Sequence, residues 1–222
     1  MDAAATDKEF LRPTSFVDSD DVHVQDFARG AVAGVTGERA CAIALYNAVR
    51  DGIAYDPYVD YSDPGVFRAS AVLAARRGFC VGKSALLAAC ARVAGIPARP
   101  GFADVRNHLT SRRLAALVKG DIFLWHSYTE LLVSGRWVKC TPAFDRALCE
   151  RAALPPLEFD GVNDSLFHPF DSAGRRHMEY LRDRGAFADV PHEAIMADFR
   201  LHYPGLIENG QAGGNFRAEV GA

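Results

Sequence analysis

Apolar and polar positions along the chain change rhythm several times. From Thr36 to about Asp51, Ile43, Ala44, Ala48 and Val49 recur at helical spacing, and Thr36 is placed to cap the first turn. Val66–Arg77 reads as a second helix that stops at Gly78. The segment FCVGKSALLAACARVAG (79–95) is rich in Ala and Leu, with Lys83, Ser84 and Arg92 as its few polar residues. Its end, Gly95 then Pro97, is a helix stop. The pattern predicts a nearly buried helix with Cys80 in its first turn. Ala98–Val105 suits a strand and Ser111–Val118 a short helix. Ile122–Val133 then alternates, Ser134-Gly135 turns, and Arg136–Thr141 returns, which predicts a β-hairpin. Period 2 puts His126, Tyr128 and Glu130 on one face of its first strand, and Trp125, Ser127, Thr129 and Leu131 on the other.

The remainder is less periodic. Residues 1–35 read as an extended arm or short strands. Residues 54–65 and 150–172 read as loops, the second long and anchored by aromatics. Helices are expected over Ala173–Arg184 and over Pro191–His202, with Pro191 at the first helical position. From Glu208 the GQAGG composition predicts a mobile tail. These boundaries give an arm (1–35), a core (36–145), a C-terminal helical extension (146–207) and a tail (208–222). The fold class expected is α+β, with a buried helix carrying Cys80 packed on an antiparallel sheet carrying His126.

Composition narrows the partners. Among 222 residues, 49% are hydrophobic and 24% charged, enough for a sizeable core under an ordinary polar surface. A net charge of −3 gives no electrostatic case for nucleic acid or an anionic membrane. No apolar run approaches the roughly 20 residues of a membrane span. The N-terminal MDAAATDKEF carries acids and no apolar core of a signal peptide. The five cysteines form no framework of close pairs, so reduced thiols and a cytoplasmic setting are expected.

Cys80 draws the chemistry. A thiolate is stabilised at a helix N-terminus by unpaired amides and by the dipole, which lowers the thiol pKa, and a neighbouring histidine lowers it further. Gly78 removes bulk near the sulfur, and the Cys80 amide is free to meet an oxyanion. The alternative is a small buried residue, the reading given to Cys41, Cys90, Cys140 and Cys149. His126, on a rigid strand, suits a general base for the thiol; a core histidine is the competing reading.

Several motifs then occur in one order: Gly78-Phe79-Cys80 opening the buried helix, Gly95-Ile96-Pro97-Ala98-Arg99, His126 with Glu130 four residues on, and Gly135-Arg136-Trp137. Ile53-Ala54-Tyr55 precedes them as a helix exit. Over about residues 43–145 this resembles the transglutaminase-like superfamily, whose core is similar to that of papain-like proteases. The resemblance implies attack by Cys80 on an amide or ester carbonyl of a peptide or small molecule, an acyl-thioester, and His126 as base and then acid. No cofactor and no metal are expected.

The family's aspartate, four residues after the hairpin Trp, is replaced by Thr141 before Pro142. Asp145 is the favoured replacement, folding back onto the imidazole, and the Thr141 hydroxyl is the alternative. The chain also departs from calcium-dependent transglutaminases, with Phe79 and Val81 flanking the cysteine, and it lacks the zinc CxxC pairs of peptide N-glycanases. A non-catalytic binding module on the same fold is the rival reading, and a Cys/His metal site a third. Weaker signals are His168, Asp171 and His177, whose types suit a metal but whose spacing matches no ligand motif, so that polar residues capping a helix are the favoured reading. Tyr55, Tyr58 and Tyr61 read as packing residues or an acceptor pocket. Lys83 reads as an aid to the thiolate or an exposed helix residue.

Overall fold

A computed structural model describes residues 8–107, 110–167, 178–209 and 214–220. Helix α1 (Val22–Ala31) stands where an extended arm was expected. The Asp21 side chain accepts from the His23 and Val24 amides, so the acidic DSDD stretch is an N-cap signal. Helix α2 (Glu38–Gly52) follows as expected, entered from Gly37 rather than Thr36. A two-residue strand β1 (Ala54–Tyr55) pairs in parallel with β2 (Arg77–Gly78). Between them α3 is shorter than the pattern suggested, Ala69–Ala75, and Arg76 ends it in the left-handed conformation.

Helix α4 (Cys80–Val93) is buried from Cys80 through Arg92. Its small residues let neighbours approach closely. A Cβ at Gly82 would stand 2.5 Å from the Val66 carbonyl oxygen. Four antiparallel strands form the main sheet in the order β5-β4-β3-β6: β3 (Ala98–Asn107), β4 (Ile122–Val133), β5 (Arg136–Cys140) and β6 (Met178–Ala186). The turn between β4 and β5 puts both Ser134 and Gly135 at positive φ, the twist a two-residue hairpin favours. Helix α4 lies against β4, and the Thr129 hydroxyl on that strand donates to the Ser84 carbonyl at 3.0 Å.

Helices α5 (Arg112–Val118), α6 (Arg146–Arg151), α7 (His192–His202), α8 (Pro204–Asn209) and α9 (Phe216–Glu219) cover the ends. Three expectations change here. The helix foreseen over Ala173–Arg184 is, in its described part, strand β6, because the free edge of β3 offers ladder partners that local propensity does not register. Pro191 occupies the N-cap of α7, one position before the one expected. The supposed mobile tail contains α9, with Phe216 buried. One contiguous apolar core reaches from Val17 to Phe216.

Candidate active site

The Cys80 thiol sits at the start of α4. Its preceding residue, Phe79, is extended and makes no side-chain cap, so the first-turn amides stay directed at the sulfur. The backbone N–H groups of Ser127, Val81 and Cys80 all favour the thiolate. Burial outweighs them and pushes the thiol up to about 11, opposite to the lowering expected from the helix end alone. Its surroundings explain the sign. The aromatic rings of Tyr55, Tyr61 and Phe79 line the same cavity and replace the water a thiolate would need. Gly78 does not open space at the sulfur either. A Cβ there would meet Val72 at 2.9 Å, so the glycine serves the approach of α3.

His126 lies on β4 opposite Ala103. The register is unbroken from Leu131 to His126, so His126 shares the Tyr128 face. The ladder slips just before it: Ala103 pairs with His126, but Val105 pairs with Phe123, so three steps of β4 match two of β3. Trp125 takes up the extra residue at φ 60°, an uncommon conformation for a bulky side chain. Asp104 accepts its backbone N–H at 3.1 Å, Asp198 accepts its indole N–H at 2.8 Å, and Arg184 stacks 4.3 Å from the ring centroid. Arg184 also pairs with both carboxylates. Beside this bulge, buried His126 lines two cavities, one shared with Cys80 and one shared with Thr141. Alternation alone gave no sign of the bulge. The positive-φ site and the three charged residues around it are invisible until the strands pair.

Asp145 is not placed as expected. It caps α6, its Oδ1 accepting from the Leu148 N–H at 3.0 Å and from Arg217 at 2.8 Å, while Oδ2 accepts the Tyr55 N–H at 2.9 Å. Among the described residues none of its hydrogen bonds goes to His126. The physical reason is local: Asp is a strong N-cap, and α6 begins at the next residue. Thr141 is buried, its backbone fixed by Ser165 and by the Tyr46 hydroxyl, and its own hydroxyl has no hydrogen-bond partner among the described residues.

The remaining motif residues meet each other. Arg99 pairs with Glu130 at 2.7 Å and stacks on Trp137, 4.1 Å from the centroid, so the acid four residues after His126 is structural. Lys83 is fully buried rather than exposed. Its ammonium nitrogen donates to the Arg50 and Ile53 carbonyls at the end of α2, and burial pulls it down to about 7. His168, Asp171 and His177 lie outside the described residues. No cluster of three His, Cys, Asp or Glu able to hold a metal occurs among the described residues. Among them, too, no helix is long and apolar enough to cross a membrane.

Comparison with known proteins bears on the fold and the family. A solved structure named "a Putative Cysteine Protease" from Cytophaga hutchinsonii superposes with a TM-score of 0.52 at 18% identity, over 88% of this chain and 50% of that one. This chain therefore spans about half that protein's length, and the likeness concerns the fold. Among curated proteins none matches this sequence. The family model described as the transglutaminase-like superfamily matches residues 25–142, more than half of the sequence and all of the segment from α2 through β5. With Cys80 opening its buried helix and His126 on its sheet, the chain belongs to the transglutaminase-like superfamily.

Proposed function

We propose that this protein is a cysteine-dependent acyl-transfer enzyme with Cys80 as nucleophile and His126 as general base. One observation carries the reading: Cys80 and His126, distant in sequence, line one cavity. Because burial keeps the resting thiol neutral, the imidazole takes the thiol proton as the sulfur–carbon bond forms. The carbonyl π electrons move onto oxygen, and amides of the first turn of α4 stabilise that oxyanion. Collapse breaks the bond to the amine or alcohol, which leaves with the proton held by His126. An acceptor then attacks the thioester and restores the thiol. Water as acceptor makes a hydrolase; an amine or alcohol makes a transferase.

Thr141 supports His126 in this scheme. Buried Thr141 lines the second cavity together with His126, and its hydroxyl can take up the ring N–H as the imidazolium develops. The five free cysteines fit a reducing, cytoplasmic setting.

The test is a screen of amide, ester and thioester donors with intact-mass detection of acylated protein. A mass increment confined to Cys80 is expected, lost in Cys80→Ala and in His126→Ala. Binding of the same compounds with no acylation under any condition favours a binding module on this fold, for which the engagement of Asp145 elsewhere is the supporting observation.

A further inference from the structure

The wall of the Cys80 cavity has a chemistry that the reaction does not require. Tyr55, Tyr61, Phe79, Trp125, Phe199 and Phe216 contribute rings to it. Among the described residues no Asp, Glu, Lys or Arg lines it. Two of the wall's polar atoms are already committed: the Tyr61 hydroxyl donates to the Pro57 carbonyl, and the Tyr203 hydroxyl donates to Ile122 while accepting from Leu124. What remains facing the space is largely hydrocarbon and ring surface. A charged group entering it would lose its hydration and, among the described residues, meet no Asp, Glu, Lys or Arg.

The open space itself is small, about 60 Å³. An apolar cavity that holds benzene is nearer 150 Å³. Phe216 accounts for part of the difference. It is 4% exposed and packs edge-on to Tyr55 and Tyr58, with centroids 5.5 and 6.0 Å apart. It comes from α9, a single four-residue turn. That turn is fastened by polar contacts: Arg217 to Asp145, Glu219 to Tyr58 and Ser111, and the Ala218 carbonyl to Arg151. The residue filling the chamber is thus an aromatic side chain carried by a single short turn.

Building on the assignment of Cys80 as nucleophile, we infer that this chamber is the subsite for an uncharged aromatic or bulky aliphatic group of the acyl donor, with Phe216 as the residue that sets its size. In the resting chain the Phe216 ring packs where such a group adds its own rings and methylenes, so its bulk decides which donors fit.

Alkylation reads the chamber without needing turnover. In a Cys41→Ser background, which removes the most exposed thiol, Cys80 is treated with iodoacetamide, N-benzyl iodoacetamide and N-(carboxymethyl) iodoacetamide. In each case the sulfur displaces iodide, a thioether forms and the thiol proton is released. Every rate is divided by the reagent's rate on free cysteine. The benzyl reagent is expected to exceed the carboxylate reagent by about tenfold or more and to show saturation, since burying the ring is favourable and burying the carboxylate is not. Phe216→Ala should raise the ratio of benzyl to unsubstituted reagent and Phe216→Trp should lower it, with both variants checked for native circular dichroism. Equal normalised rates for benzyl and carboxylate reagents, or ratios that ignore both substitutions, overturn the assignment. The two proposals fail separately. Reagent selectivity without any acylation by donors removes the enzyme and keeps the chamber, and acylation without selectivity does the reverse.

Discussion

Arg217 and Asp145 are joined by a 2.8 Å ion pair, and this ties the C-terminal turn α9 to the loop that supports Tyr55 in the Cys80 cavity. The carboxylate also caps α6. Asp145→Ala is therefore expected to lower stability by about 1–2 kcal/mol, the scale of a lost N-cap, in urea unfolding. Asp145→Asn, which keeps a cap oxygen, should recover most of that loss. If Asp145→Ala matches wild type in unfolding but abolishes acylation, Asp145 acts on His126 after all.

Thr141→Val should behave in the opposite sense. It removes a buried hydroxyl that has no hydrogen-bond partner among the described residues, so stability should hold or rise slightly. Acylation of Cys80 should fall by about tenfold, the lower part of what positioned proton-transfer partners contribute. Unchanged acylation kinetics would remove Thr141 from the mechanism.

The bulge before His126 is held by charge. Arg184 stacks on Trp125 and pairs with Asp104 and Asp198, both of which bond to Trp125. A bulky residue in the left-handed region costs on the order of 1–3 kcal/mol, so the conformation persists only while its neighbours enforce it. Arg184→Met is expected to slow acylation by about tenfold or more while secondary structure stays native, because the imidazole loses its placement. Wild-type acylation rates in this variant would show that the bulge is held by other means.

The pH dependence of thiol labelling follows from burial. With the Cys80 thiol raised to about 11, its thiolate is only about one part in ten thousand at pH 7. Alkylation by iodoacetamide in the Cys41→Ser background should climb steadily from pH 7 to 10. A plateau reached near neutrality would mean that the thiolate is already formed in the resting protein.

Lys83 gives a second pH signature, in stability. Its folded value of about 7 lies below the ~10.4 of an unfolded lysine. Between those values the unfolded chain binds more protons, so stability increases with pH. From pH 7 to 8.5 the gain should be about 1–2 kcal/mol relative to Lys83→Met, measured by urea unfolding at each pH. Parallel pH profiles for the two proteins would show that the ammonium stays charged in the core. The two carbonyl acceptors match the two N–H donors of a neutral amine, which is why a buried lysine is tolerated there.

Much of the molecule was decided locally. The Ala/Leu run closed by Gly95 and Pro97 marks α4, and period-2 alternation around Ser134-Gly135 marks the β4–β5 hairpin, because helix stops, turn dihedrals and side-chain periodicity act over a few residues. The order of the motifs was sufficient to bring Cys80 and His126 to attention. What stayed hidden depends on contacts between distant segments. Residues 178–184 became strand because β3 had an unpaired edge. Asp145 became a cap and an anchor because α6, Tyr55 and Arg217 converge on it. The Cys80 thiol rose because aromatic rings from several elements exclude water. Trp125 left the regular strand because Asp104, Asp198 and Arg184 surround it. Periodicity and capping chemistry are properties of neighbours in sequence; desolvation, strand register and charge pairing belong to neighbours in space, and only the assembled fold assigns those.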